Sequence, residues 1–123
     1  MRTVIAIAVA GGAGALARYG LDRAISRRAS EFPWGTFVVN ASGAFLLGLL
    51  SVLLARWLSP SHWLRIAVTV GFLGAYTTFS TLSFDTYRLL EDGSVGLAVA
   101  NMLGSLVIGL LAVWGGISLG RAI

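Results

Sequence analysis

Cysteine and lysine are absent from this 123-residue sequence, histidine occurs once, and acidic residues number only 5. Without cysteine there are no disulfides and no thiolate metal sites. The lone histidine, His62, stands next to Trp63 in a connector, and no nucleophile and base pair is in view, so the composition argues against an enzyme. Charge as a whole is scarce, at 11% of residues against 57% hydrophobic. A soluble domain of this size cannot bury so much apolar surface, so the chain needs lipid as its solvent.

What is present is four uncharged stretches: Thr3 to Ala17, Phe32 to Ala55, Ile66 to Phe84 and Gly93 to Gly120. About 20 residues at 1.5 Å rise cross the hydrocarbon, so only the first looks short. Its helix is expected to continue to about Ile25, because Arg18 and Asp22 stand four apart, where an ion pair on one face lowers the cost of both charges near the interface. The connectors, residues 26–33, 56–65 and 88–93, are short, contain Pro33, Pro60 and Gly93, and hold most of the charge. The expected architecture is therefore an all-α integral membrane protein, one four-helix domain over residues 1–123. Met1-Arg2 before an apolar run imitates a signal peptide, but the later stretches are just as apolar, so the first is expected to stay.

All basic residues are arginines, and they lie singly at helix ends, which suits snorkelling to lipid headgroups rather than nucleic-acid binding. If the helices alternate, Arg2, Arg56, Arg65 and Arg121 fall on one side and Arg18, Arg23, Arg27, Arg28 and Arg88 on the other. Orientation follows the arginine and lysine excess on the cytoplasmic side, so this near tie permits insertion both ways up and an antiparallel homodimer. The alternative is a single orientation fixed by features outside the count. Small residues at helical spacing, Ala10 and Gly14, Ala44 and Gly48, Ser105 and Gly109, Gly116 and Gly120, allow close helix approach within or between chains. Trp34, Trp57, Trp63 and Trp114 mostly flank the stretches, as interface anchors do.

Gly12-Ala13-Gly14-Ala15-Leu16-Ala17 imitates a dinucleotide-binding fingerprint, but no α/β unit surrounds it, and the glycines serve helix packing instead. On the second stretch Thr36, Asn40, Ala44 and Gly48 share one face, with Gly43 beside them. An amide in hydrocarbon needs partners, so Asn40 either bonds another helix or meets a polar pathway. Asn101 and Ser105 repeat that choice more weakly on the fourth stretch.

The third stretch is the informative one, Gly71-Phe72-Leu73-Gly74-Ala75-Tyr76-Thr77-Thr78-Phe79-Ser80-Thr81-Leu82. Such a run can unwind inside a membrane where the protein satisfies the freed peptide groups, and broken helices of this kind bind ions. Freed carbonyls suit a cation. The ring edge of Phe79, beside the hydroxyls of Thr78, Ser80 and Thr81, suits an anion. The alternative is a continuous helix whose Ser and Thr bond back to their own carbonyls.

Three of these segments together, Gly11 to Ala15 leading to Arg18-Tyr19, Gly35-Thr36 through Asn40 and Gly43, and Gly71 through Thr81, resemble the signatures of the CrcB/Fluc family of fluoride channels. The resemblance extends over all four stretches. It implies a multi-pass protein of the bacterial inner membrane that exports fluoride passively from the cytoplasm, with the third helix broken mid-membrane. It also implies an antiparallel homodimer with two pores and a central structural sodium ion held by the backbone carbonyls of Gly74 and Thr77. Carried over by motif position, the anion contacts are Phe79, Asn40, Thr36, Ser80 and Thr81, with Asn101 and Ser105 continuing a polar track and Arg18 lending its charge near a vestibule. The chain departs from the family pattern at Leu82, where a second Phe is usual. Leucine offers no electropositive ring edge, and Phe84, about 200° further round a helix, does not replace it. Asp85 sits where relatives commonly carry Glu.

Two other readings fit four short helices. A small multidrug-type exporter needs a membrane-embedded carboxylate, and none of the stretches contains one in its interior. A non-conducting assembly subunit would use the same polar residues only to join helices.

Overall fold

The computed structural model describes residues 1–27 and 30–123; Arg28, counted above among the basic residues, lies outside them. Among the described residues the regular structure is entirely helical: α1 (Arg2–Ser26), α2 (Trp34–Trp57), α3 (Trp63–Ile66), a π-helical stretch (Ala67–Leu73), α4 (Gly74–Tyr76), α5 (Phe79–Glu91) and α6 (Val95–Ala122). The segments from Trp63 to Glu91 act as one interrupted span. With α1, α2 and α6 this makes, among the described residues, four helices long and apolar enough to cross a membrane, and the chain is a multi-pass membrane protein.

The third span is longer than its uncharged run. Residues 88–91, expected in a connector, form the last turn of α5. Leu82, Thr86 and Leu89 are buried along one side of this helix while Arg88 and Glu91 face outward, so packing against α6 carries the helix past the end of its apolar run. It stops at Gly93, whose φ of 78° is a left-handed conformation open to glycine. The Ser94 N–H then reaches back to the Leu89 carbonyl at 2.8 Å, closing the helix end.

Glycines determine how the spans meet. A Cβ on Gly48 would strike the Val113 carbonyl, one on Gly116 the Phe45 carbonyl, and one on Gly120 would press on Val52 and Leu49. These contacts advance together along both helices, so α2 and α6 run parallel with their backbones nearly touching. Arg56 Nη2 closes the seam by donating to the Gly120 carbonyl at 2.6 Å. A second seam joins α1 to the π-helical stretch, where Gly14 lies against the Phe72 backbone and Gly71 against Ile7 and Ala10. The expected small-residue faces are thus used, with one exception: a Cβ on Gly109 would meet open space.

The interruption falls in the middle of the third span. Thr77 (φ −82°, ψ 155°) and Thr78 (φ −150°, ψ 118°) are extended, a conformation that β-branched side chains favour. The Thr77 hydroxyl and N–H both donate to the Leu73 carbonyl at 3.0 Å, which ends the helix before the break. The Thr78 hydroxyl accepts from the Thr81 N–H at 3.2 Å and so caps α5 after it.

Candidate functional site

Breaking a helix in a lipid environment leaves peptide groups without partners, and the site is best followed through where those groups go. The Thr78 N–H, which in a continuous helix would reach the Gly74 carbonyl, donates instead to Asn40 Oδ1 at 2.8 Å. Asn40 Nδ2 in turn donates to the Thr78 carbonyl at 3.0 Å. The Thr81 N–H, the helical partner of the Thr77 carbonyl, goes to Thr78 Oγ1. Gly74 and Thr77 therefore each present a carbonyl that has lost its helical donor, and Gly74 is exposed on the surface of the single chain. Of the alternatives left open for Asn40, bonding to another helix is observed. It joins two helices, and one of its two amide hydrogens remains uncommitted.

Two depressions flank the break and share Thr78 as their common wall. The larger is an open groove of about 450 Å3 lined by Asn40, Thr77, Thr78, Phe79, Leu82, Met102, Ser105, Leu106 and Gly109. No charged side chain lines it. Phe79 stands at its edge with 75% of its surface exposed, whereas Leu82 is buried in its wall. Ser105 Oγ is buried there without a hydrogen-bond partner among the described residues.

The smaller is a polar cavity of about 200 Å3 lined by Arg18, Tyr19, Asp22, Thr36, Val39, Thr78 and Thr81. Arg18 and Asp22 face it together without closing the ion pair that their spacing predicts. Asp22 accepts from Ser26 Oγ at 3.1 Å, and Tyr19 accepts from Arg23 Nη1 at 2.8 Å. The start of α2 lies against these two side chains at Gly35, where a Cβ would strike both Asp22 Oδ1 and Ser26 Oγ.

The anticipated site residues divide between these depressions. Asn40, Phe79, Ser105, Thr77 and Leu82 meet in the groove; Arg18, Thr36 and Thr81 meet in the cavity. Ser80 lines neither and is exposed, with its hydroxyl 3.2 Å from Thr78 Oγ1. Asn101 is fully buried between α5 and α6, where Nδ2 donates to Thr86 Oγ1 at 2.9 Å and Oδ1 has no partner. Gly74 lines a further hollow with Asn40, Thr69 and Thr77.

Three relationships have no counterpart in the sequence reading. Buried Thr36 donates to Asp85 Oδ2 at 2.9 Å, so a carboxylate backs the cavity. Tyr76 and Ser42 share a hydrogen bond of 2.9 Å that ties the end of α4 to α2. Thr86 passes its own hydrogen to the Leu82 carbonyl at 2.8 Å while receiving Asn101. The first two join positions far apart in the chain, and hydrophobic periodicity shows which face is polar but not what meets it. His62 has a structural use, accepting from the Leu64 N–H as the cap of α3.

Over residues 5–117 the chain matches the family described as CrcB-like protein, Camphor Resistance (CrcB). It is 49% identical over 116 residues to a protein of Solibacter usitatus named fluoride-specific ion channel FluC, covering 94% of this chain and 95% of that protein. Proteins of the same name from Geobacter sulfurreducens (46% over 122 residues, 98% of each chain) and Citrifermentans bemidjiense (44% over 124 residues, 100% of each) are similar along their whole length.

Proposed function

The chain belongs to the CrcB family, and from that premise we propose that it is a fluoride-selective channel through which the anion leaves the bacterial cytoplasm passively across the inner membrane. It is not an enzyme. The observation that carries the reading is the break at Thr77 and Thr78, stabilised by Asn40, which aims the start of α5 into an uncharged groove. The first N–H groups of a helix have no acceptor within it and attract anions. Around them stand the Phe79 ring, the remaining amide hydrogen of Asn40 and the Ser105 hydroxyl. Fluoride gives up water only to closely placed donors, and a site without a fixed positive charge also lets it go again.

The working unit of this proposal is an antiparallel homodimer with two pores. The near tie of arginines between the two sides supports insertion both ways up. An exposed Phe79, an open groove and an unpacked Gly109 are what a second copy would cover. At its centre a sodium ion would be held by the carbonyls of Gly74 and Thr77 from each subunit. Freed carbonyls suit a hard cation, and bound there the ion would neutralise acceptors that lipid cannot satisfy. Its role would be structural.

The test is fluoride release from liposomes containing purified protein, followed with a fluoride electrode after adding a potassium ionophore, with chloride run in parallel. Fast fluoride release with little chloride release is expected. Well-folded protein that releases neither would overturn the channel reading in favour of a non-conducting assembly role.

A further inference from the structure

The polar cavity holds a carboxylate, which is an unexpected group beside an anion pathway. Asp22 and Arg18 both line it, on successive turns of α1, but their charges do not meet in an ion pair. The donors around them are uncommitted. Among the described residues the Arg18 guanidinium makes no hydrogen bond; Thr81 Oγ1 accepts from Thr78 Oγ1 at 3.1 Å and keeps its own hydrogen; Tyr19 accepts from Arg23 and keeps its phenolic hydrogen. Arg18, Tyr19 and Thr81, which line this space of about 200 Å3, thus carry hydrogens that an anion could accept. Beyond the wall stands a second carboxylate, Asp85, whose Oδ2 receives the Thr36 hydroxyl.

We infer that Asp22 weakens anion binding in this cavity, acting as a counter-charge that keeps the anion from resting on Arg18. The inference rests on the channel reading and extends the pathway from the groove to the cavity across their common wall, Thr78. Left alone, a guanidinium with two hydroxyls in a half-enclosed cavity is an anion trap, and a pathway that binds too firmly conducts slowly. A unit negative charge in the same cavity offsets much of that attraction, since unlike and like charges at comparable distance contribute with opposite sign and similar size. The pair also brings the cavity near to neutrality, so its appeal to anions depends little on ionic strength. Asp22 lines the cavity with Arg18, while its Oδ1 accepts from Ser26 and lies against the start of α2 at Gly35.

Asp22→Asn tests the inference cleanly, because an amide oxygen still accepts from Ser26 and only the charge is lost. In liposome flux assays the fluoride concentration giving half-maximal release is expected to fall by about three- to tenfold in Asp22→Asn. That half-saturating concentration should also become salt-dependent, rising when ionic strength is raised with an impermeant salt, whereas in the unmodified protein it stays nearly constant. Arg18→Gln should shift it the opposite way. Glu91→Gln, at the outer end of α5, should leave it unchanged. A merely structural role for Asp22 would alter the amount of active protein without creating salt dependence. If unmodified vesicles conduct and Asp22→Asn gives the same half-saturation and the same salt response, the inference is overturned alone. If unmodified vesicles release no fluoride, the channel reading and this inference fall together.

Discussion

The side-chain amide of Asn40 and the peptide groups of Thr78 exchange two hydrogen bonds, 3.0 Å from Nδ2 to the carbonyl and 2.8 Å from the N–H to Oδ1. Donor and acceptor are both needed, at one distance from the α2 backbone. Only a carboxamide on a side chain of this length supplies them.

Asn40→Asp removes the donor, sets a carboxylate against the Thr78 carbonyl and places a fixed negative charge at the groove. Fluoride flux is expected to fall by on the order of a hundredfold or more, since like charges a few ångströms apart in a poorly hydrated site cost several kcal/mol. Flux in liposomes containing equal amounts of protein is the measurement, and undiminished flux would exclude Asn40 from the pathway.

Thr78 caps α5 through its hydroxyl, accepting from the Thr81 N–H. Thr78→Val keeps the branched shape and loses the acceptor, and should destabilise the protein in detergent by about 1 kcal/mol. Thr78→Ser keeps the acceptor and should cost less. Equal thermal stability of the two variants would show the cap to be unimportant.

The Thr36 to Asp85 bond predicts an asymmetry between its ends. Thr36→Val deletes the donor and leaves a half-buried carboxylate short of a partner, at a cost of about 1–3 kcal/mol. Asp85→Asn still offers Thr36 an oxygen and should cost well under that. Denaturation in mild detergent compares them, and a larger loss for Asp85→Asn would contradict the assignment.

Glycine substitutions should separate by position. Gly14→Ala drives a methyl group into the Phe72 backbone, and Gly116→Ala drives one into the Phe45 carbonyl. Each should destabilise by about 1–3 kcal/mol through overpacking. Gly12→Ala meets nothing within 4 Å and should be neutral or slightly stabilising, because alanine is the better helix former. Melting temperatures in one detergent decide the matter.

If sodium occupies the Gly74 and Thr77 carbonyls, replacing it throughout purification with a bulky organic cation should lower fluoride flux and loosen the dimer, and restoring sodium should reverse both. Flux and particle mass unaffected by the exchange would remove sodium from the proposal.

Much of this arrangement is legible in the sequence. Long uncharged runs locate the spans, since a run of about 20 apolar residues satisfies its own backbone in lipid as a helix, and two glycines followed by threonines mark the third as breakable. Asn40 stood out because an amide there needs a partner, yet the partner, Thr78, is 38 positions away. Spacing on a helix tells which side chains share a face and cannot tell what the other helix brings. The expected Arg18 and Asp22 pair shows the same limit from within one helix. The two share a cavity, as their spacing suggests, but Asp22 accepts from Ser26, one turn further along the same helix, instead. The end of α5 lies beyond the expected boundary because charge at Arg88 reads as an end, whereas the next residue, Leu89, is buried and the helix runs on to Glu91.

The glycine seam between α2 and α6 has a mechanical consequence. With backbones in contact at Gly48, Gly116 and Gly120, and with Arg56 clasping the last turn, these two spans behave as one strut although the whole interrupted span lies between them in the chain. Pulled out of a bilayer by its C-terminus, the protein should not surrender its helices one after another. The first rupture should be the tallest, because α6 must be stripped from its partner along its full length, and α2, left without support, should follow at much lower force.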